Sequence, residues 1–575
     1  MGRPLHQMSG EGRALRVLVA VAVMGGLVLP ILAGFAQTLR AAFGILPAIG
    51  AVEWSLAPWY QLMALPGFGT SLRLSLVTGV GATVLALLLA TGFFALMHGR
   101  MGHGAIGRGA MPFLAAPHAA LAIGLAFLLA PSGWIARLLS PALTGWDRPP
   151  DWATVNDGWG LALIVGLLIK EVPFLLLVIG SALGQLPLRQ HMAAGRALGY
   201  GRGAVWVKVI MPQVYPLIRL PIFIVLAFSL SVVDMAIILG PSNPPTLAVA
   251  ITRWFYATDT ALILPASAAA LMQAAVVAAA VAAWIAAERV AKRLGLWWLR
   301  RGGRGRRAAP GLWLAGSVVG ILMVLGVLAL AGLVLWSFAW RWSFPQALPQ
   351  SWSIKGWLTP ESGWGRALRA TLIIGSSVTA ASLLLAIAWL EGEDRARRGR
   401  AGWAQALIYL PLLVPQIGFL YGLNVLFLKI GVSGGMLAVV WAQMLFVFPY
   451  VMIALSDPWR ALDRQHLRAA AALGAGPWRR LMVVKLPMLV RPVLAAAAIG
   501  FAVSVAQYLP TLFMGAGRVA TLTTEAVTLA GGSDRRVVGV YAVLQAGLPF
   551  LAYGVALLVP AVVYRNRRGL LGGAA

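Results

Sequence analysis

Arg189-Gln190-His191-Met192-Ala193-Ala194-Gly195-Arg196-Ala197-Leu198-Gly199 returns later in the chain as Arg464-Gln465-His466-Leu467-Arg468-Ala469-Ala470-Ala471-Ala472-Leu473-Gly474. Each closing glycine is followed by twelve residues and then a proline, Pro212 or Pro487, so every landmark of the segment recurs 275 residues on. A polar segment duplicated inside an apolar chain implies two equivalent surfaces offered to a partner that is itself twofold.

The repeat extends outward from these two segments. Ser71-Leu72-Arg73-Leu74-Ser75-Leu76 parallels Ala367-Leu368-Arg369-Ala370-Thr371-Leu372 at offset 296, and Pro117-His118 with Gly124 parallels Pro415-Gln416 with Gly422 at offset 298. Pro173-Phe174 parallels Pro449-Tyr450 at offset 276. Ordered matches along both halves mark a genuine internal duplication. The offset shrinks where 429–435 replaces the longer 131–158.

Sixty per cent of the chain is hydrophobic and 11% charged, with many apolar runs of membrane-spanning length. Backbone groups in a bilayer must be satisfied within the segment, so such runs form helices. Twelve spans are expected, near 14–36, 70–97, 111–130, 159–180, 216–240, 260–286, 311–337, 367–390, 406–428, 436–456, 488–512 and 540–563. The expected fold is an all-α polytopic membrane protein of two parallel six-helix repeats: 1–288, a basic linker at 289–310, and 311–575. Both halves then share one orientation, related by an axis along the membrane normal. The run Leu15 to Ala36 is longer than a signal-peptide core and reads as an uncleaved first helix.

The net charge of +29 is unevenly spread. The connections 37–69, 131–158, 241–259, 338–366, 429–435 and 513–539 hold 11 basic and 8 acidic residues, and nearly all of the excess lies elsewhere. By the positive-inside rule those connections face outward and both termini are cytoplasmic. A nucleic-acid partner is not expected, because no basic patch interleaves with exposed aromatics on a soluble domain. Cysteine is absent and the six histidines show no ligand spacing, which argues against a metal site. The linker could also touch anionic lipid.

The spacing of the repeated segment predicts a short helix, a glycine-permitted stop and a second short helix re-entering the membrane. With the twelve-residue gap to Pro212 or Pro487 at the end of Ile210-Met211-Pro212 and Lys485-Leu486-Pro487, it resembles the E-A-A, three residues, Gly motif of permeases in binding-protein-dependent ABC importers. The resemblance covers 70–290 and 367–565 and is greatest to the fused two-copy permeases of the iron(III), thiamine and putative thiamine importers. It implies a type I importer fold and alternating access. It further implies two copies of an ABC ATPase docking at Ala193, Ala194, Leu198, Gly199 and Pro212 and at Arg468, Ala469, Leu473, Gly474 and Pro487, and an extracytoplasmic solute-binding protein. Ala193 and Arg468 stand where the motif has Glu, so docking would lean on shape and on Arg196, Arg202, Arg479 or Arg480.

The chain carries no P-loop of its own, since none of its six lysines follows a glycine. No cofactor is expected to bind it, and ATP would be used by the partner subunit.

Ionisable groups inside spans cost about 2.5–3.5 kcal/mol and usually serve a pathway or a partner. Glu171, beside Lys170, and Asp234 are candidate pathway residues, and Gln507 and Tyr508 sit at nearly the corresponding place in the second half. His118 and Gln416 follow the paired prolines, where a helix break would expose carbonyl groups to a cavity. For each of these, hydrogen bonding between helices is the structural alternative. The two acids favour a cationic solute such as thiamine or a metal ion. An ion-coupled secondary transporter is the alternative function. Gly431-Val432-Ser433-Gly434-Gly435 matches a serine-nucleophile pattern, but the only histidine downstream of it, His466, lies on the other side of the membrane, so the run reads as a turn.

Overall fold

The computed structural model describes residues 5–97, 109, 112–305, 309–359, 363–396, 402–532 and 534–565. The first half contains α1 (Leu5–Val23), α2 (Leu29–Ala42), α3 (Phe68–Met97), α4 (His118–Leu129), α5 (Leu161–Leu183), α6 (Leu188–Ala197), α7 (Met211–Ser231), α8 (Asp234–Leu239), α9 (Leu247–Phe255) and α10 (Ile263–Arg300). The second contains α11 (Ala309–Phe338), α12 (Trp364–Arg395), α13 (Gly402–Leu413), α14 (Ile417–Lys429), α15 (Met436–Ala461), α16 (Arg464–Ala472), α17 (Val490–Ala506), α18 (Leu509–Gly515), α19 (Leu522–Ala530) and α20 (Arg535–Val563). Among the described residues, ten helices are long and apolar enough to cross a membrane, and two sharply bent helix pairs bring the number to twelve. A two-stranded hairpin, Ala339–Arg341 with Ser351–Trp352, is the one sheet among them.

The leading helix of each half packs against the other half. An added Cβ at Gly34 on α2 would lie 2.5 Å from the Phe419 carbonyl oxygen on α14, and one at Gly124 on α4 would lie 2.5 Å from the Ala329 carbonyl oxygen on α11. Backbones approach this closely only through glycine, the usual device where helices associate without a hydrophobic driving force. Trp441 Nε1 adds a 2.6 Å hydrogen bond to the Gly26 carbonyl across the same boundary.

Four expected continuous spans are broken, the one at 111–130 at Ala116-Pro117. The one expected at 216–240 stops at Ser231, where Val232 turns extended, and resumes as α8; the one at 488–512 stops at Ala506 and resumes as α18. A carbonyl freed near each break is taken by a side chain: Gln273 Nε2 donates to Leu230 O at 3.0 Å, and Thr523 Oγ1 donates to Val505 O. Those two carbonyls are also 275 residues apart. The span expected at 406–428 is α13 and α14, bent by 96° around Pro415.

The repeated segments and both ends of the described chain lie on one face. The Gly392 position on α12 approaches the Arg16 backbone on α1, and Tyr564 OH donates to the Pro487 carbonyl at 3.2 Å.

Candidate functional site

Each repeated segment folds in the same way from the same local signals. In α6 the alanine-rich turns end at Leu198, and Gly199 takes φ +79°; in α16 they end at Leu473, and Gly474 takes φ +80°. The Gly199 N–H donates to Arg196 O and the Tyr200 N–H to Gly195 O, while Gly474 donates to Ala471 O and Ala475 to Ala470 O. This double capping closes the helix and needs a residue at ease with positive φ, hence the glycine.

A turn of π-helix follows in both copies, Trp206–Ile210 and Arg480–Lys485, with the Met211 N–H reaching Trp206 O and the Leu486 N–H reaching Leu481 O. Pro212 and Pro487 stand immediately beyond. A proline can neither donate to the residue four back nor fit its ring against that carbonyl in a regular α-turn, and the wider turn accommodates it. The expected second short helix is therefore one turn long before the chain enters α7 or α17.

The tips are apolar and exposed: Leu198 is 66% and Leu473 is 89% accessible. Ala193, Ala194, Arg468 and Ala469 are exposed beside them. Of the basic residues expected to help docking, Arg196 and Arg479 are exposed, whereas Arg202 is turned inward and donates to Leu96 O at 2.9 Å.

The two segments are held by different means. The first is strapped by the linker: the Gly201 N–H donates to Arg304 O at 2.8 Å, and Lys208 Nζ donates to Gly303 O at 2.7 Å while lying 4.3 Å from the Trp298 ring centroid. The second is held by an acidic hub at the end of α12. Lys485 Nζ, 3% exposed, meets Glu391 at 3.0 Å and also Asp394; Arg395 meets Glu391 at 2.8 Å and Arg460 meets Glu393 at 2.9 Å. Trp389 and Trp459 donate their indole N–H groups to Glu393 and Asp394, each at 3.0 Å. Sequence reasoning missed this hub, although its signal was present as three acids within four residues on the basic face, Glu391-Gly392-Glu393-Asp394, facing the lysine of Lys485-Leu486-Pro487.

Deep in the first half, the break at Pro117 does not leave its carbonyl groups to a cavity as expected. Lys170 Nζ collects them, donating to Ala116 O at 2.6 Å, Phe113 O at 2.8 Å and Leu114 O at 3.3 Å. The Lys170 charge acts on Glu171, Asp234 and His118, and Asp234 acts likewise on Tyr508 of the second half. Glu171 is 6% exposed, and no hydrogen bond to its carboxylate is found among the described residues. The His118 ring lies tilted by 34° against Phe228 at 4.7 Å between ring centroids, with its buried Nδ1 unpartnered among the described residues.

His118, Glu171 and Asp234 are thus each within electrostatic reach of Lys170, and Tyr508 is within reach of Asp234. Gln507 is buried at the second helix break but has no hydrogen bond to Asp234, and Gln416 is half-buried at the α13–α14 bend. Asp234 opens α8 as Leu509 opens α18, so its counterpart at offset 275 is an apolar residue. Ser433 donates to Asn424 Oδ1 at 2.9 Å in the turn before α15, which supplies no general base.

No family model matches the chain. It is 32% identical over 526 residues to the inner membrane ABC transporter permease protein YnjC of Escherichia coli K12, an alignment covering 90% of this chain and 93% of that protein. Shorter stretches resemble the molybdenum transport system permease protein ModB of Azotobacter vinelandii, 29% identical over 28% of this chain and 78% of ModB. A similar stretch matches the putrescine transport system permease protein PotI of Escherichia coli K12, 30% identical over 26% of this chain and 56% of PotI. The chain belongs to the inner-membrane ABC transporter permeases, transport subunits without an ATPase domain of their own.

Proposed function

We propose that this permease is the fused, two-halved membrane subunit of an importer, with 1–288 and 311–575 as its halves and 289–310 as the joint. Two ATPase subunits grip it at the two repeated segments on the cytoplasmic side, where both termini also lie, and an extracytoplasmic binding protein delivers the solute opposite. The reading is carried by the matched pair of capped helices presenting Leu198 and Leu473 outward. A monomeric partner would need one such tip; two tips suit a pair of ATPases that close on ATP and drive alternating access. That drive requires ATP to favour one state of the pathway over the other.

The solute is a small cation, of the thiamine or metal-ion kind. Two buried carboxylates, Glu171 and Asp234, face the single charge of Lys170, whose three donors go to carbonyl oxygens rather than to either acid, and the excess of negative charge suits a passing cation. Glu171→Gln with Asp234→Asn should abolish uptake of such a solute while ATPase binding persists; undiminished uptake would remove the cationic assignment.

Docking has its own test. The chain has no cysteine, so Leu198→Cys and Leu473→Cys each create a unique thiol. A short thiol-directed cross-linker should join either variant to an ATPase subunit in native membranes. Failure at both positions, with the chain normally inserted, would refute the docking assignment.

A further inference from the structure

Helix α10 runs for 38 residues, about 57 Å at 1.5 Å per residue, well beyond the roughly 30 Å of a hydrocarbon core. Its last contact with the bundle through an acid is at Glu288, which accepts from Tyr215 OH at 2.6 Å and pairs with Arg219 at 2.8 Å. From 289 to 305 no acid follows, while Arg289, Lys292, Arg293, Arg300 and Arg301 are all exposed.

Val290, Leu294 and Trp297 recur at helical spacing and form an exposed stripe on this extension, each more than half accessible. The Arg301 guanidinium closes the stripe, 3.6 Å from the Trp297 ring centroid. Trp298 points the other way, against Lys208 of the first repeated segment.

An apolar stripe flanked by cations on a helix that has just crossed a membrane is the composition of an interfacial surface. We propose that the extension at 289–301 is a binding face for anionic phospholipid headgroups, which seats the linker strap against the first repeated segment. Two observations select the bilayer as occupant. The charge of the face is wholly positive, opposite to that of anionic lipid, and the stripe continues a helix long and apolar enough to cross the bilayer. Cations beside an apolar stripe can extend their heads to the phosphate layer while their stems cover acyl chains.

The test uses the full chain with Leu294→Cys, a unique thiol, carrying an environment-sensitive fluorophore and reconstituted in phosphatidylcholine vesicles. Brominated phosphatidylglycerol should quench the label about twofold or more above the same mole fraction of brominated phosphatidylcholine. About 1 M salt, where the Debye length falls to about 3 Å, should bring the ratio towards one without any change in the chain. Adding Arg289→Gln, Lys292→Gln, Arg293→Gln and Arg300→Gln should do the same at low salt. Equal quenching by both lipids at low salt would overturn the proposal, and absence of quenching by either would place water or a protein on this face instead.

Discussion

The two repeated segments share a backbone down to their capping hydrogen bonds, yet one is held by a strap and the other by charge. Residues 199–212 lean on backbone carbonyls of the linker and on Trp298, whereas 474–487 lean on Glu391 and Asp394. Duplication preserved what the local fold demands, a glycine at positive φ and a proline after a π-turn. It left free how each copy is fastened, because fastening depends on what lies next to it. The linker is available only to the first copy, and the acids at the end of α12 only to the second.

That contrast can be broken at its shared element or sharpened at its differing ones. The largest effect is expected from Gly474→Asp. An aspartate at φ +80° strains the cap by about 1 kcal/mol and enlarges a bare, exposed tip. ATPase recovered with the purified chain should fall from two copies to about one, because the first segment is untouched, and transport should be uncoupled from hydrolysis. Normal transport at normal expression would refute the shared-tip account.

Lys485→Met comes next. It leaves Glu391 and Asp394 without their buried cation, and breaking such a pair costs about 3 kcal/mol. The thermal midpoint in detergent should drop by several degrees, and Lys485→Met with Glu391→Leu should recover part of the loss. Lys208→Met, the matching change in the strap, removes one charge-assisted hydrogen bond and one cation–π contact at a half-exposed site, about 1 kcal/mol. Its signature is local: trypsin should cut the linker near Arg304 faster, with little change in the midpoint. Arg464→Gln should do least, below about 0.5 kcal/mol in unfolding free energy. Its 3.9 Å approach to Asp394 is exposed, and surface pairs of that kind contribute little.

Much of this was legible in the chain. Apolar runs of spanning length leave helices as the only solution, and the glycine stop of each segment follows from the same local chemistry in both copies. What escaped was whatever depends on neighbours distant in sequence. Nothing in residues 29–42 says that they lie against 417–429 rather than within their own half, because a small-residue stripe records closeness and not the identity of the neighbour. The break at Val232-Val233 is invisible in an apolar run until Gln273 is found on its carbonyl side. Pro117 announced a helix break correctly, but the destination of its carbonyl groups was set by Lys170, more than fifty residues away. In the hub, Glu391-Gly392-Glu393-Asp394 and Lys485 were each readable, and only their meeting was not.

The most direct test of the central claim is the stoichiometry of the assembly purified from its native membrane in mild detergent, read by mass spectrometry. Two tips predict a P-loop ATPase at two copies per chain. A chain that purifies alone and still transports in ATP-free vesicles on an ion gradient would contradict the account.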